Sequence, residues 1–173
     1  MNEKDMENLL KIVDEIEILS SLKNYDCSKL LCALQHQLSQ LVYFYRDIAM
    51  ELPSENTYYK MKNQPKEHDL VYVNLDRGFP KEMMDGHWCY VLKNFGYKLL
   101  VIPTTSIKKD STYNEKFDYD IISKFSDNTV KSRLSISDMR CIDVQRIDKR
   151  KPKAKVLTER NEILEFVEDK ILK

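Results

Sequence analysis

Apolar side chains recur at steps of three and four between residues 5 and 22, at Met6, Leu9, Leu10, Val13, Ile16 and Leu19. That is the period of one helical face. After the polar break Lys23-Asn24-Tyr25-Asp26 the same period returns at Leu30, Leu31, Leu34, Leu38, Leu41, Val42, Tyr45, Ile48 and Leu52. Asp26 or Ser28 is placed to cap this second helix, and Pro53 limits its end. A break so short predicts that residues 1–53 fold back as an antiparallel helical hairpin. The hairpin carries more apolar residues than two helices bury against each other. It is therefore expected to dock on the rest of the chain or on a second subunit.

Residues 54–67, polar and bounded by Pro53 and Pro65, read as a linker, and beyond them the period becomes that of strands. The runs 70–75, 88–92 and 97–102 are rich in Val, Leu, Ile, Tyr and Trp, and each is bounded by a breaker. All three glycines, Gly78, Gly86 and Gly96, fall in the turns between these runs, and Asn94-Phe95-Gly96 reads as a tight hairpin. Further strands are expected over 117–122 and 132–146. Ile163, Leu164, Phe166, Val167 and Ile171 give residues 158–172 a helical period. The pattern predicts an α+β chain: a helical hairpin over 1–53, then a small β-barrel with a C-terminal helix over 68–173.

Composition narrows the class. At 42% hydrophobic and 32% charged residues, the chain belongs with folded globular proteins and not with disordered ones. No apolar run reaches the roughly 18 residues that a membrane helix needs, and the charged start, Met1-Asn2-Glu3-Lys4-Asp5, is unlike a secretory signal. A cytoplasmic protein with no membrane partner is expected. Cys27, Cys32, Cys89 and Cys141 form no CxxC pair and read as reduced thiols. His36, His68 and His87 have no ligand spacing, so neither a metal nor a cofactor is expected. The net charge of zero conceals an acidic stretch over residues 1–26 and a basic one over 131–155. Only the second is suited to phosphate.

Several motifs then occur in a telling order: Asp69-Leu70-Val71-Tyr72-Val73, the loop Arg77-Gly78-Phe79-Pro80-Lys81-Glu82, the run Gly86-His87-Trp88-Cys89-Tyr90-Val91-Leu92, and Pro103-Thr104-Thr105-Ser106. Finally comes Ser137-Asp138-Met139-Arg140-Cys141-Ile142-Asp143-Val144-Gln145-Arg146-Ile147, similar without a gap to the D-Q-I-R-T-I-D-K-K-R-L stretch of the MazF/PemK toxins. Over about residues 67–172 the chain resembles that family. The resemblance implies an SH3-like barrel of the kind also used by gyrase-poisoning toxins. It also implies the toxin of a type II toxin–antitoxin system, a homodimer held inactive by a cognate antitoxin lying over the loop between the first two strands. The implied activity is metal-independent endoribonuclease cleavage of single-stranded RNA, by attack of the 2′-hydroxyl to give 2′,3′-cyclic phosphate and 5′-hydroxyl ends.

The family's two catalytic positions, an Arg opening the second strand and a Thr in the P-x-T-S turn, fall on His87 and Thr105. Thr105 matches and His87 does not. A guanidinium stays charged and offers forked donors, whereas an imidazole exchanges protons near neutrality. Arg77, Lys81 and Lys108 are the candidates for the missing positive charge, with Ser106 beside them as an RNA contact. Each has a plainer reading: His87 as a donor to a backbone carbonyl, Thr105 as a β-branched turn residue, and Arg140 and Arg146 as framework residues paired with Asp138 or Asp143. The alternatives to the enzyme are a non-catalytic relative that binds RNA or protein, a gyrase-poison-like toxin, and an interaction module carried by the hairpin.

Overall fold

The computed structural model describes residues 1–49, 61, 63–126 and 128–173. The expected end of the second helix near Leu52 and Pro53, and the first part of the expected linker, fall outside these residues. The chain divides into two compact units, Met1–Leu41 and Val42–Lys173.

The first unit begins with helix α1 (Glu3–Ser21), which opens on a capping box. Asn2 accepts from the Asp5 amide at 2.8 Å while the Asp5 carboxylate accepts from the Asn2 amide at 3.1 Å. These bonds satisfy amides that a helix start leaves unpaired, and the first-turn Glu3 and Asp5 suit its dipole. Helix α2 (Cys27–Tyr43) is started by Asp26, whose Oδ1 accepts from the Lys29 amide at 3.1 Å. The helices meet beside their connecting turn, where the Cys27 thiol lies 3.8 Å from the Ile16 carbonyl oxygen. Neither helix contains a buried residue.

The second unit is built on seven strands: β1 (Asp69–Asn74), β2 (Gly86–Asn94), β3 (Lys98–Ser106), β4 (Asp118–Phe125), β5 (Asn128–Ser135), β6 (Arg140–Asp143) and β7 (Ala154–Val156). Six of them close into an antiparallel barrel in the order β2-β1-β7-β4-β5-β3, with β3 returning to β2. β6 continues beyond a tight turn at Ile136–Asp138 and pairs with the first half of β3. The stretch 132–146, read from the sequence as one strand, is therefore two strands with a kink between them. β7 lies in the lysine-rich run and its three residues escaped the pattern.

Alternation along the strands produces two cores. Leu70, Tyr90, Ile102, Ile121, Leu134 and Ala154, one from each ring strand, point inward and meet Ile163 and Val167 of helix α3 (Arg160–Val167). On the outer wall of β1–β3 the opposite set, including Val71, Val73, Cys89, Val91 and Val101, is covered by Ile142, Val144, Ile147 and Met61. A β2–β3 hairpin joins the two layers, its turn using Gly96 at φ 93°, a conformation open to glycine at no steric cost. The linker residues nearest the barrel are tied to that turn: Gln64 Nε2 donates to the Gly96 carbonyl at 2.6 Å, and Asn94 Nδ2 donates to the Pro65 carbonyl at 2.8 Å.

Candidate functional site

His87 and Thr105 share one face of the sheet because of strand register. β2 pairs with β3 through Cys89↔Pro103, Tyr90↔Ile102 and Val91↔Val101. The ladder ends there, and alternation over the next two residues of each strand puts His87 and Thr105 on the same face as Cys89 and Pro103. The row extends on both sides, since Val73 pairs with His87, Thr105 with Arg133, and Arg133 with Asp120. Val73 belongs to the outer core. His87, Thr105, Arg133 and Asp120 therefore lie on the outer wall, where the cover of that core ends.

Pro103 shapes this spot. It has no N–H to give to the ladder, and beyond it side chains join the two strands. Thr104 Oγ1 donates to the Trp88 carbonyl at 2.9 Å, and His87 Nδ1 lies 3.0 Å from the Thr104 carbonyl oxygen. A carbonyl only accepts, so Nδ1 carries the proton and the neutral imidazole keeps its lone pair on Nε2. The bond fixes the tautomer and orientation of the ring.

Arg133 is the member of the row that sequence reasoning missed. Its guanidinium is buried: Nε donates to Asp120 Oδ1 at 2.8 Å, Nη1 donates to the Thr112 carbonyl at 2.8 Å, and its carbon lies 4.8 Å from the centre of the Tyr113 ring. The hydrogen bond to Asp120 raises the pKa of Arg133 above its ordinary value. Burial works to raise Asp120, but hydrogen bonds from Arg133 and Lys131 outweigh it and hold the carboxyl below the usual range. Seen from sequence, Arg133 is one cation in a basic run. Its place beside Thr105 depends on the pairing of β5 with β3, for which no local signal exists.

The other expected contacts are less concentrated. Arg77 is paired with Asp85 across the β1–β2 loop, Nη2 to Oδ2 at 2.9 Å. Lys81 in the same loop and Lys108 after β3 are exposed. Ser106, exposed at the strand end, alternates to the face opposite Thr105. Among the described residues no hydrogen bond or ion pair links Arg77, Lys81, Ser106 or Lys108 to His87 or Thr105. The β1–β2 loop is itself held in place, because Asp138 accepts from the Met83 amide at 2.9 Å and from Ser135 Oγ at 2.7 Å.

Much of the basic run is neutralised locally. Lys131 pairs with Asp120, Arg140 with Asp138, Arg146 with Asp76 and Arg150 with Asp148. Arg140 and Arg146 are thus ion-paired within the fold, while Asp143 caps the turn at Gln145. A small cavity of about 140 Å³ lies between these arginines, Leu75, Cys141 and Ile142. The larger concavity, about 650 Å³ at the α1–α2 turn from Ser20 to Leu31, is open to solvent and contains none of the row.

Among the described residues, no group of three or more His, Cys, Asp or Glu side chains is placed to hold a metal ion, and no helix is long and apolar enough to cross a membrane. No protein-family model matches the chain, and no curated protein matches it.

Proposed function

We propose that the barrel is an SH3-like domain of the MazF/PemK type, and that the chain is a toxin-like endoribonuclease acting on single-stranded RNA without a metal. The observation that supports this reading is the imidazole of His87, oriented through Nδ1 on the Thr104 carbonyl and carried on the same outer wall of the barrel as Thr105. In the reaction, Nε2 takes the proton of a ribose 2′-hydroxyl and the 2′-oxygen attacks the adjacent phosphorus. The bond from phosphorus to the 5′-oxygen breaks, that oxygen receives a proton from a solvent water, and the imidazolium returns its proton to solvent. The products are a 2′,3′-cyclic phosphate and a 5′-hydroxyl. Thr105 Oγ1 donates to a non-bridging oxygen as charge develops there, an interaction strongest in the transition state. Lys81 and Lys108 are the exposed cations on the flanking loops and would meet the phosphate chain.

One observation favours a second reading, a module that binds RNA or protein without cleaving it. The guanidinium next to Thr105 is held within the wall by Asp120, the Thr112 carbonyl and the Tyr113 ring, and its charge is balanced there by a carboxylate instead of a phosphorane. Incubating the purified protein with a long single-stranded RNA in EDTA, followed by end-group analysis, separates the two. Cyclic-phosphate and 5′-hydroxyl ends at a few short motifs support the enzyme. Fragments with 5′-phosphates reject the mechanism, and retention of intact RNA supports the binding module.

A further inference from the structure

Helix α2 has an unusual composition for a helix without a buried residue. From residue 30 to its end at residue 43 it carries no Asp, Glu, Lys or Arg; its polar positions are Gln35, His36, Gln37, Ser39 and Gln40. A helix that faces water along one side normally charges that side, and one that lacks charge all round is normally enclosed. Yet Leu31, Leu38 and Leu41 are each 45–61% exposed, as are Met6, Leu9 and Val13 along one stripe of α1. A pair of helices of this length does not hold its shape on propensity alone.

We propose that α2 is the centre of a self-association interface, and that two copies of this chain join their helical pairs into an antiparallel four-helix bundle with the two α2 helices inside. Two observations select a second copy over another partner. The six exposed side chains, with Leu10 and Ile12 beside them, offer on the order of 700 Å² of apolar surface, close to the ~800 Å² that each side contributes to a stable complex. An uncharged helix also meets its own image without like-charge repulsion, and a two-fold axis makes one stripe serve both sides. The acidic groups of α1 fall outside, where Glu7 is already paired with Lys11. Gln and Ser on α2 pair across the interface as uncharged donors and acceptors.

The test is sedimentation equilibrium of the full chain over a wide concentration range, beside Leu38→Glu and the conservative Leu38→Met. The wild type and Leu38→Met are expected to be dimers, and Leu38→Glu should weaken association at least about 100-fold while Trp88 fluorescence reports an intact barrel. A wild type that is monomeric throughout overturns the proposal, as does a dimer indifferent to Leu38→Glu. So does a monomer that gains a partner only from a different protein. Should Leu38→Glu fail to fold, amide exchange on the wild type decides: protection over residues 31–41 that rises with protein concentration supports the bundle, and protection independent of concentration refutes it.

Discussion

Replacing Tyr90 by Phe removes one oxygen from the centre of the barrel, and the structure fixes what that oxygen does. Tyr90 is fully buried and its Oη lies 3.0 Å from His68 Nδ1. Arg160, at the start of α3, donates through Nη2 to Glu67 Oε2 at 2.7 Å, and its charge acts on both the phenol and the imidazole. A phenol donates readily and Nδ1 of a neutral imidazole accepts, so this relay from Oη to Nδ1 favours a neutral His68. Burial lowers the pKa of His68 and the Arg160 charge lowers it further, against the opposing pull of Glu159, Asp69 and the Val156 carbonyl. A basic group held below its unfolded pKa makes folding less favourable in acid. The unfolded chain binds the proton first, so this contribution is complete above about pH 6.5 and is lost as pH falls below it toward the folded value. Tyr90→Phe leaves Nδ1 without a donor, which costs about 1–2 kcal/mol at pH 7.5, or roughly 3–6 °C in melting temperature. It should also flatten the acid limb, because the neutral imidazole loses the bond that favoured it. Urea unfolding between pH 5 and 8, followed through Trp88, the single tryptophan of the chain, measures both effects. Equal stability of the variant together with an unchanged slope below pH 6.5 would refute the relay.

The remaining predictions concern the candidate site and its surroundings. Thr105→Ala and His87→Ala should each lower RNA cleavage by about 10² or more with little change in melting temperature, and a matching loss of stability in both would assign them structural roles. His87→Arg should keep activity and lose its acid limb if His87 serves as a donor to phosphate, and should be nearly inactive if it carries the proton; single-turnover rates against pH distinguish these. Burial pushes the Cys89 thiol up to about 12, so in the native protein a thiol reagent at pH 8 should label the exposed Cys141 and spare Cys89, as mass spectrometry of the peptides would show. Gly86→Ala drives a Cβ into the Tyr72 phenol, whose ring sits edge-on to Trp88 at 5.4 Å. It should shift Trp88 emission and destabilise the barrel by about 1–3 kcal/mol.

Much of the fold could be read from side-chain periods, and what escaped has physical causes. Val71, Val73, Cys89 and Val91 alternate with Leu70, Tyr72, Tyr90 and Leu92, so β1 and β2 were visible as strands, although the hydrophobicity of both faces reflects two separate cores. Pro103 reads as a breaker, yet β3 runs through it to Ser106, because its missing N–H falls where the ladder with β2 already stops. Ala154 and Val156 are too few to show a period among the lysines around them. At the site, His87 and Thr105 each open or close a recognisable motif, and so were legible one by one. That they share one wall of the barrel follows from alternation along β2 and β3 beyond the last pair, Cys89↔Pro103. That Arg133 joins them follows from long-range register between β3 and β5, which no window of neighbouring residues contains.

β7 gives the barrel a seam. Two register pairs hold it to β1, Asp69↔Lys155 and Leu70↔Ala154, and two hold it to β4, Ser123↔Val156 and Lys124↔Lys155. The β2–β3 and β4–β5 hairpins are local in sequence and zip early, whereas the pairing of residue 70 with residue 154 closes a loop of more than eighty residues and bears the larger entropic cost. The cylinder is thus fastened last where it is fastened least. Its lowest-energy excursions are openings along this line, and there the inner apolar layer would first meet water.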